Sequence, residues 1–254
     1  MIALSRMAMI AACALTLTAP AARAFDLNAM SAEEREAFGE AVRSYLLENP
    51  EVILEAVDKL EQQQAEAEAA RDDALVQANL DELQNDGYSW VGGNPEGDIT
   101  LVEFMDYRCG YCRKAAPEIE ALLAADDNIR LVVKEFPILG EASVLSSRFA
   151  IATRLVAGVE AYEQVHNTLI ALPTEPSEVA LRRIADDLSL DGDAILARMA
   201  DPEVTKELQR NRELAQVLSI SGTPTFVLED EMLRGYLPAD QMQIMIKEIR
   251  DARS

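Results

Sequence analysis

The stretch from Phe104 to Leu123, FMDYRCGYCRKAAPEIEALL, holds Cys109 and Cys112, the only cysteines beyond the first 24 residues. A pair spaced Cys-x-x-Cys can be a redox couple, half a metal site or a buried apolar pair, and its surroundings decide which. Before it, ITLVEFMD (99–106) is a near-continuous apolar run of strand length. After it, CRKAAPEIEALLAAD (112–126) reads as a helix and NIRLVVKEFPIL (128–139) as a second buried strand. Strand, helix and strand at this spacing make a parallel crossover unit. The cysteines thus sit where strand gives way to helix, with Cys109 at the helix N-terminus. Backbone N–H groups and the helix dipole favour a thiolate there. Cys112, one turn along, can donate to that thiolate and later attack it, which is the arrangement reversible disulfide exchange needs. A structural zinc site wants four ligands, and two cysteines with the single His166 do not supply them. Cu(I), a soft ion suited to two thiolates at Cys109 and Cys112, is the alternative from another class.

Working outward, NDGYSWVGGNPEGD (85–98) is rich in turn residues, with Trp90 and Val91 as a short strand. Residues 141–218 carry helical signals only, broken at Pro173, Pro176, Gly192 and Pro202. Strand signals return in GTPTFVLED (222–230) and EMLRGYL (231–237), an antiparallel hairpin, before a helix from Pro238 to Arg250. A sheet interrupted by an all-helical block implies an inserted helical subdomain at about 141–218. His166 lies on a helical stripe with Tyr162 and Leu169 and reads as a half-buried packing residue. Met242 and Met245 share a stripe with Ile249 and read as core of the last helix.

Ahead of this domain, residues 31 to about 84 read as helix. SAEE at 31–34 is a capping box, and Phe38, Val42, Tyr45 and Leu46 follow on one face. Asn49 and Pro50 punctuate, and Ile53, Val57 and Leu60 make a second stripe. The stripe then fails. EQQQAEAEAARDDA (61–74) favours helix by propensity but has no large apolar residue with which to bury a face. The sequence therefore predicts a helical self-association module at 25–60, a helical linker at 61–85 exposed over 61–75, and a catalytic domain at 86–254. The module has too few apolar positions to stand as a monomeric domain.

The first 24 residues have the form of a cleavable secretory signal: MIALSR is basic, MAMIAACALTLTA apolar, and APAARA places Ala22 and Ala24 at a signal-peptidase site. Lipidation at Cys13 would leave almost no apolar core before the cysteine. No later run approaches the ~20 apolar residues that span a bilayer. The expectation is an exported, soluble protein in a compartment where disulfides persist. Two remaining cysteines are too few for a disulfide framework, so the pair is free for chemistry. A formal charge of −22 argues against nucleic acid and anionic membranes as partners.

The ordered set of strand, Cys-x-x-Cys, helix, inserted helical block and SGTPTF (221–226) resembles the thioredoxin fold in its DsbA-like form. That resemblance implies a cis-proline loop at Thr223–Pro224 facing the cysteines. It implies a buried acid at Glu103, six residues before Cys109, which takes the proton of Cys112, with Lys134 on the next strand as a partner. Gly110–Tyr111 between the cysteines resembles the dipeptide of periplasmic disulfide isomerases, not the Pro–His pair of strong oxidants. The N-terminal helices are similar to those of the suppressor-of-copper-sensitivity (ScsC) family, whose members include trimers with a mobile linker. The resemblance implies a periplasmic thiol:disulfide oxidoreductase, an isomerase working as an oligomer with the trimer favoured. Its implied partners are disulfide-bearing exported proteins and a membrane thiol reductant, and it needs no cofactor. The alternatives are a Cu(I)-binding protein of copper tolerance and a simple dithiol oxidase or reductase of the same fold.

Overall fold

The computed structural model describes residues 30–253; the signal-peptide reading of residues 1–24 lies outside them. The chain divides into two compact units, one ending at Glu61 and the other beginning at Gln62. In the first, helix α1 (Ala32–Glu48) opens on the capping box: Glu34 N–H donates to Ser31 Oγ at 3.2 Å and Ser31 N–H to Glu34 Oε2 at 2.8 Å. Asn49 closes α1, its backbone N–H and side-chain amide both donating to Tyr45 O. Helix α2 runs from Glu51 to Ala78. No residue of α1 is buried, and Phe38, Val42, Tyr45, Ile53, Val57 and Leu60 are each 41–57% exposed.

The second unit is a five-stranded mixed sheet in the order β1-β3-β2-β4-β5. Its strands are β1 (Trp90–Gly93), β2 (Ile99–Met105), β3 (Ile129–Glu135), β4 (Thr225–Leu228) and β5 (Glu231–Arg234). Strands β2 and β3 are parallel and joined through α4 (Gly110–Ala125), whereas the other pairings are antiparallel. Every residue of β2 is buried, as its unbroken apolar run requires of a central strand covered on both faces. Between β3 and β4 lies the helical insert: α5 (Glu141–Ala157), α6 (Val159–Ala171), α7 (Glu178–Asp187), α8 (Gly192–Arg198) and α9 (Pro202–Val217). Helix α10 (Ala239–Ala252) closes the chain, with Met242 in the core and Met245 packed against it.

Strand alternation sorts the core in two. Leu101, Met105, Leu131 and Val133 join one cluster with α4, α6 and α10, while Val102, Phe104 and Val132 join the other. The second cluster takes in Val76, at the end of α2, and Leu83 of α3 (Leu80–Gln84). This corrects the linker expectation. The polar stretch is exposed through Arg71, but Asp72 is buried, its carboxylate held by the Arg234 guanidinium at 2.8 and 3.0 Å. Asp72, Val76 and Leu83 are thus buried in the second unit, with Leu75 and Leu80 packed against its core. The physical reason is that Leu75, Val76, Leu80 and Leu83 form a new apolar face, out of phase with the stripe that ends at Leu60.

Candidate active site

Cys109 is the N-cap residue of α4, and Cys112 lies in its first turn. Both are free thiols, Cys109 at 7% exposure and Cys112 at 1%. The turn that delivers them is fastened by Asp106, whose carbonyl accepts the Cys109 N–H at 3.0 Å. Its buried carboxylate accepts the N–H groups of Arg108 (2.7 Å), Ile138 (2.8 Å) and Leu139 (3.0 Å). One fully buried side chain therefore ties the Cys-x-x-Cys loop to the segment after β3. Gly110 and Tyr111 face solvent, Tyr111 at 65% exposure.

Across from the thiols, Thr223–Pro224 is a cis peptide bond, and Cys109 Sγ donates to the Thr223 carbonyl at 3.0 Å. The loop is braced by Thr225 Oγ1, which donates to Gly222 O at 2.9 Å, and by Gly235 N–H, which donates to Pro224 O at 3.0 Å. A thiol at a helix N-terminus beside a carbonyl edge is placed to receive an extended peptide disulfide.

Glu103 is buried on β2, on the face that carries Leu101 and Met105. Burial, and next the charge of Glu135, push its carboxyl up to about 8. The Cys112 thiol is also raised, first by burial and then by the charge of Glu103. A cavity of about 80 Å³ is lined by both groups together with Trp90, Glu120, Glu163 and His166. A carboxyl with raised proton affinity in the same small cavity as a buried thiol can accept that thiol's proton.

Lys134 is not the partner of Glu103. The β2–β3 register sets Glu103 opposite Val133 and Phe104 opposite Lys134. Lys134 therefore points to the other sheet face, where it pairs with Asp86 and donates to Glu82 O at 2.7 Å. A one-residue offset in a period of two decides this. His166 is half-buried, as its stripe indicated. It stacks on Trp90 and Tyr162 and lies 3.0 Å from Tyr107 Oη through Nδ1, and burial holds its pKa down to about 4.

Sequence reasoning missed Asp106, Tyr107, Glu135 and Tyr162. Asp106 alone carried a signal, a carboxylate three residues before a cysteine that opens a helix. Among the described residues no group of three or more His, Cys, Asp or Glu side chains is arranged to hold a metal. A Cu(I) site would rest on the two thiolates alone.

The signature described as "DSBA-like thioredoxin domain" matches residues 100–247, and "Copper resistance protein ScsC N-terminal domain" matches residues 34–67. Among solved structures, a thioredoxin-like oxidoreductase from Silicibacter pomeroyi is 42% identical with a TM-score of 0.63, over 67% of this chain and 97% of that one. BcfH of Salmonella enterica Typhimurium is 29% identical at a TM-score of 0.72, over 85% and 95%. ScsC of Proteus mirabilis in a transitional conformation is 27% identical at 0.63, over 86% and 98%. Curated relatives include a Na(+)/H(+) antiporter NhaA of Salinispora tropica, 30% identical over 145 residues, which are 57% of this chain and 22% of that protein. The match thus spans about a fifth of the length of those relatives. The chain therefore belongs to the DsbA-like thioredoxin-domain family, and it carries an ScsC-type N-terminal segment ahead of that domain.

Proposed function

We propose that this protein is an exported, periplasmic disulfide isomerase that acts as a homo-oligomer, with the trimer favoured. The observation that carries the thiol chemistry is the Cys109 thiol at the N-terminus of α4, 3.0 Å from the Thr223 carbonyl at the cis-proline loop. Cys109, as thiolate, attacks one sulfur of a client disulfide. The client S–S bond breaks, a Cys109–client S–S bond forms, and the departing client sulfur leaves as a thiolate. In isomerisation a second client thiolate attacks the mixed disulfide, reforms a client disulfide and returns the Cys109 thiolate, with no net redox change. When no client thiol arrives, Cys112 passes its proton to Glu103 and attacks Cys109 Sγ. The client then leaves reduced, and the Cys109–Cys112 disulfide awaits a membrane thiol reductant.

Two features favour isomerisation over simple oxidation. Tyr111 places no cationic ring beside the thiolate, so the reduced form gains less than it would with a histidine there. The open apolar stripe of α1 and α2 offers a surface for copies of itself, which would bring several active sites to one misfolded client. Light scattering on the mature protein, beside refolding of a scrambled disulfide substrate, tests both. A trimer or dimer with strong isomerase activity supports the reading. Deleting residues 25–60 should give a monomer that still reduces disulfides but no longer isomerises them; an unchanged native mass refutes the self-association.

A further inference from the structure

A second carboxyl, unused in the steps above, lies beneath the thiols. The register of β2 and β3 pairs Met105 with Glu135, so Glu135 shares the sheet face of Glu103, two positions along the neighbouring strand. Its Oε1 accepts the hydroxyls of Tyr107 at 2.8 Å and Tyr162 at 2.6 Å. The Ser147 hydroxyl of α5 faces the same carboxyl without closing a hydrogen bond, and Oε2 is buried and unpartnered. The charged groups around it are Glu103 of β2, Asp106 from the Cys-x-x-Cys loop and Glu207 of α9, which is paired with Arg154 of α5. Lys134, the preceding residue, faces away. No cation neutralises Glu135 directly.

Tyr107 also connects Glu135 to the active site. Its oxygen is 3.0 Å from His166 Nδ1, and the His166 ring lines the cavity shared by Glu103 and Cys112. We propose that Glu135 is a positioning residue for thiol exchange: it sets how tightly Glu103 holds a proton, while Tyr107 and His166 carry the proton of Glu135 to and from the cavity. With Glu135 ionised, Tyr107 donates to it and His166 Nδ1–H donates to Tyr107. A proton reaching Nε2 from the cavity lets the Nδ1 proton pass to Tyr107 and the Tyr107 proton pass to Glu135. His166 is neutral before and after, and one proton has moved with no redox change. Burial lifts the Glu135 carboxyl to about 7, against the tyrosine hydroxyls that lower it, so it changes charge near neutrality. Two carboxyls coupled in this way titrate as a pair.

The inference rests on the exchange reading above, and its test separates the two. In the full-length protein, the rate at which Cys112 resolves a mixed disulfide on Cys109 is followed from pH 5 to 9. The rate should rise with pH as Glu103 ionises. In E135Q, which keeps a polar group of the same shape, the midpoint should fall by about one pH unit because the repelling charge is gone. Superimposable profiles overturn the proposal. Infrared carboxyl bands give a second reading: the three buried carboxyls of Glu103, Glu135 and Glu207 should titrate above pH 6 in the wild type and one fewer in E135Q, and an unchanged set of bands in E135Q would overturn it. In H166F, Glu135 should follow a pH jump about tenfold more slowly, the loss of one positioned proton carrier; an unchanged rate overturns the route. Absence of any exchange in the wild type would instead refute the oxidoreductase reading and leave the infrared result standing.

Discussion

Helices α1 and α5 are each 17 residues long, yet α1 buries none of its residues and α5 buries eight. Both are fully formed helices of equal length, so helix formation itself does not explain the contrast. Helix α5 is lined with small residues that let neighbours approach on several sides, and two of its four buried hydroxyls bond back to its own backbone. Thr153 Oγ1 donates to Phe149 O at 2.8 Å and Ser146 Oγ to Ala142 O at 3.0 Å. Helix α1 instead concentrates Phe38, Val42 and Tyr45 on one stripe and carries charged residues such as Glu33, Arg35, Glu36, Glu40 and Arg43 over much of the remainder. A stripe of that kind is worth ~1.5–3 kcal/mol per large side chain once covered, and nothing while it faces water. One helix is completed by its own fold, and the other leaves an apolar stripe exposed.

Substitutions in each unit can break or sharpen that contrast. The largest effect belongs to C109S, which should abolish exchange while leaving the native mass unchanged; C112S should accumulate mixed disulfides visible by mass spectrometry. Full activity in C109S would end the oxidoreductase reading.

Next, E103Q should slow resolution by Cys112 about 100-fold, the scale of one general base. The same change should stabilise the domain. Glu103 ionises near 4.5 when unfolded but near 8 when folded, so the folded state keeps a proton that the unfolded state has lost. The cost is absent below about pH 4.5 and grows as pH rises toward 8, reaching at most ~5 kcal/mol. Denaturant midpoints at pH 5 and pH 8 should therefore differ in the wild type and differ less in E103Q, where Glu135 and Glu207 still carry raised pKa values; an equal difference in both would contradict the burial of Glu103 as a cost to stability. The smallest effect is that of D72A. Losing the carboxylate that holds Arg234 should cost ~1–2 kcal/mol of the second unit's stability and leave self-association untouched. A change in native mass with no loss of stability would move the unit boundary past Asp72.

Much of the fold was legible in short stretches. The apolar run of β2 and the cysteines at a strand-to-helix junction are signals of a few residues, and the all-helical interval and the final hairpin are built from helix breakers and strand alternation that are likewise local. The capping box at Ser31 and the stripe of His166 read correctly for the same reason. Readings that failed involved phase or distance. Lys134 is expected beside Glu103 because it lies on the next strand, but strand parity sends it to the opposite face. The linker reading failed at Asp72, because an apolar face restarted out of phase and an arginine 162 residues away buried the carboxylate.

The sequence by itself determined the element order, the thiol pair at a helix N-terminus and the amphipathic stripe of the first two helices, since caps, periodicity and propensity act within a few turns of chain. Only the tertiary structure decided that Cys109 meets Thr223 from 114 residues away, that Glu103 and Cys112 share one small cavity, and that Glu135 stands on their side of the sheet. Those relations depend on strand register and on which faces pack together, and through-space contacts of that kind leave no local mark on the residues that make them.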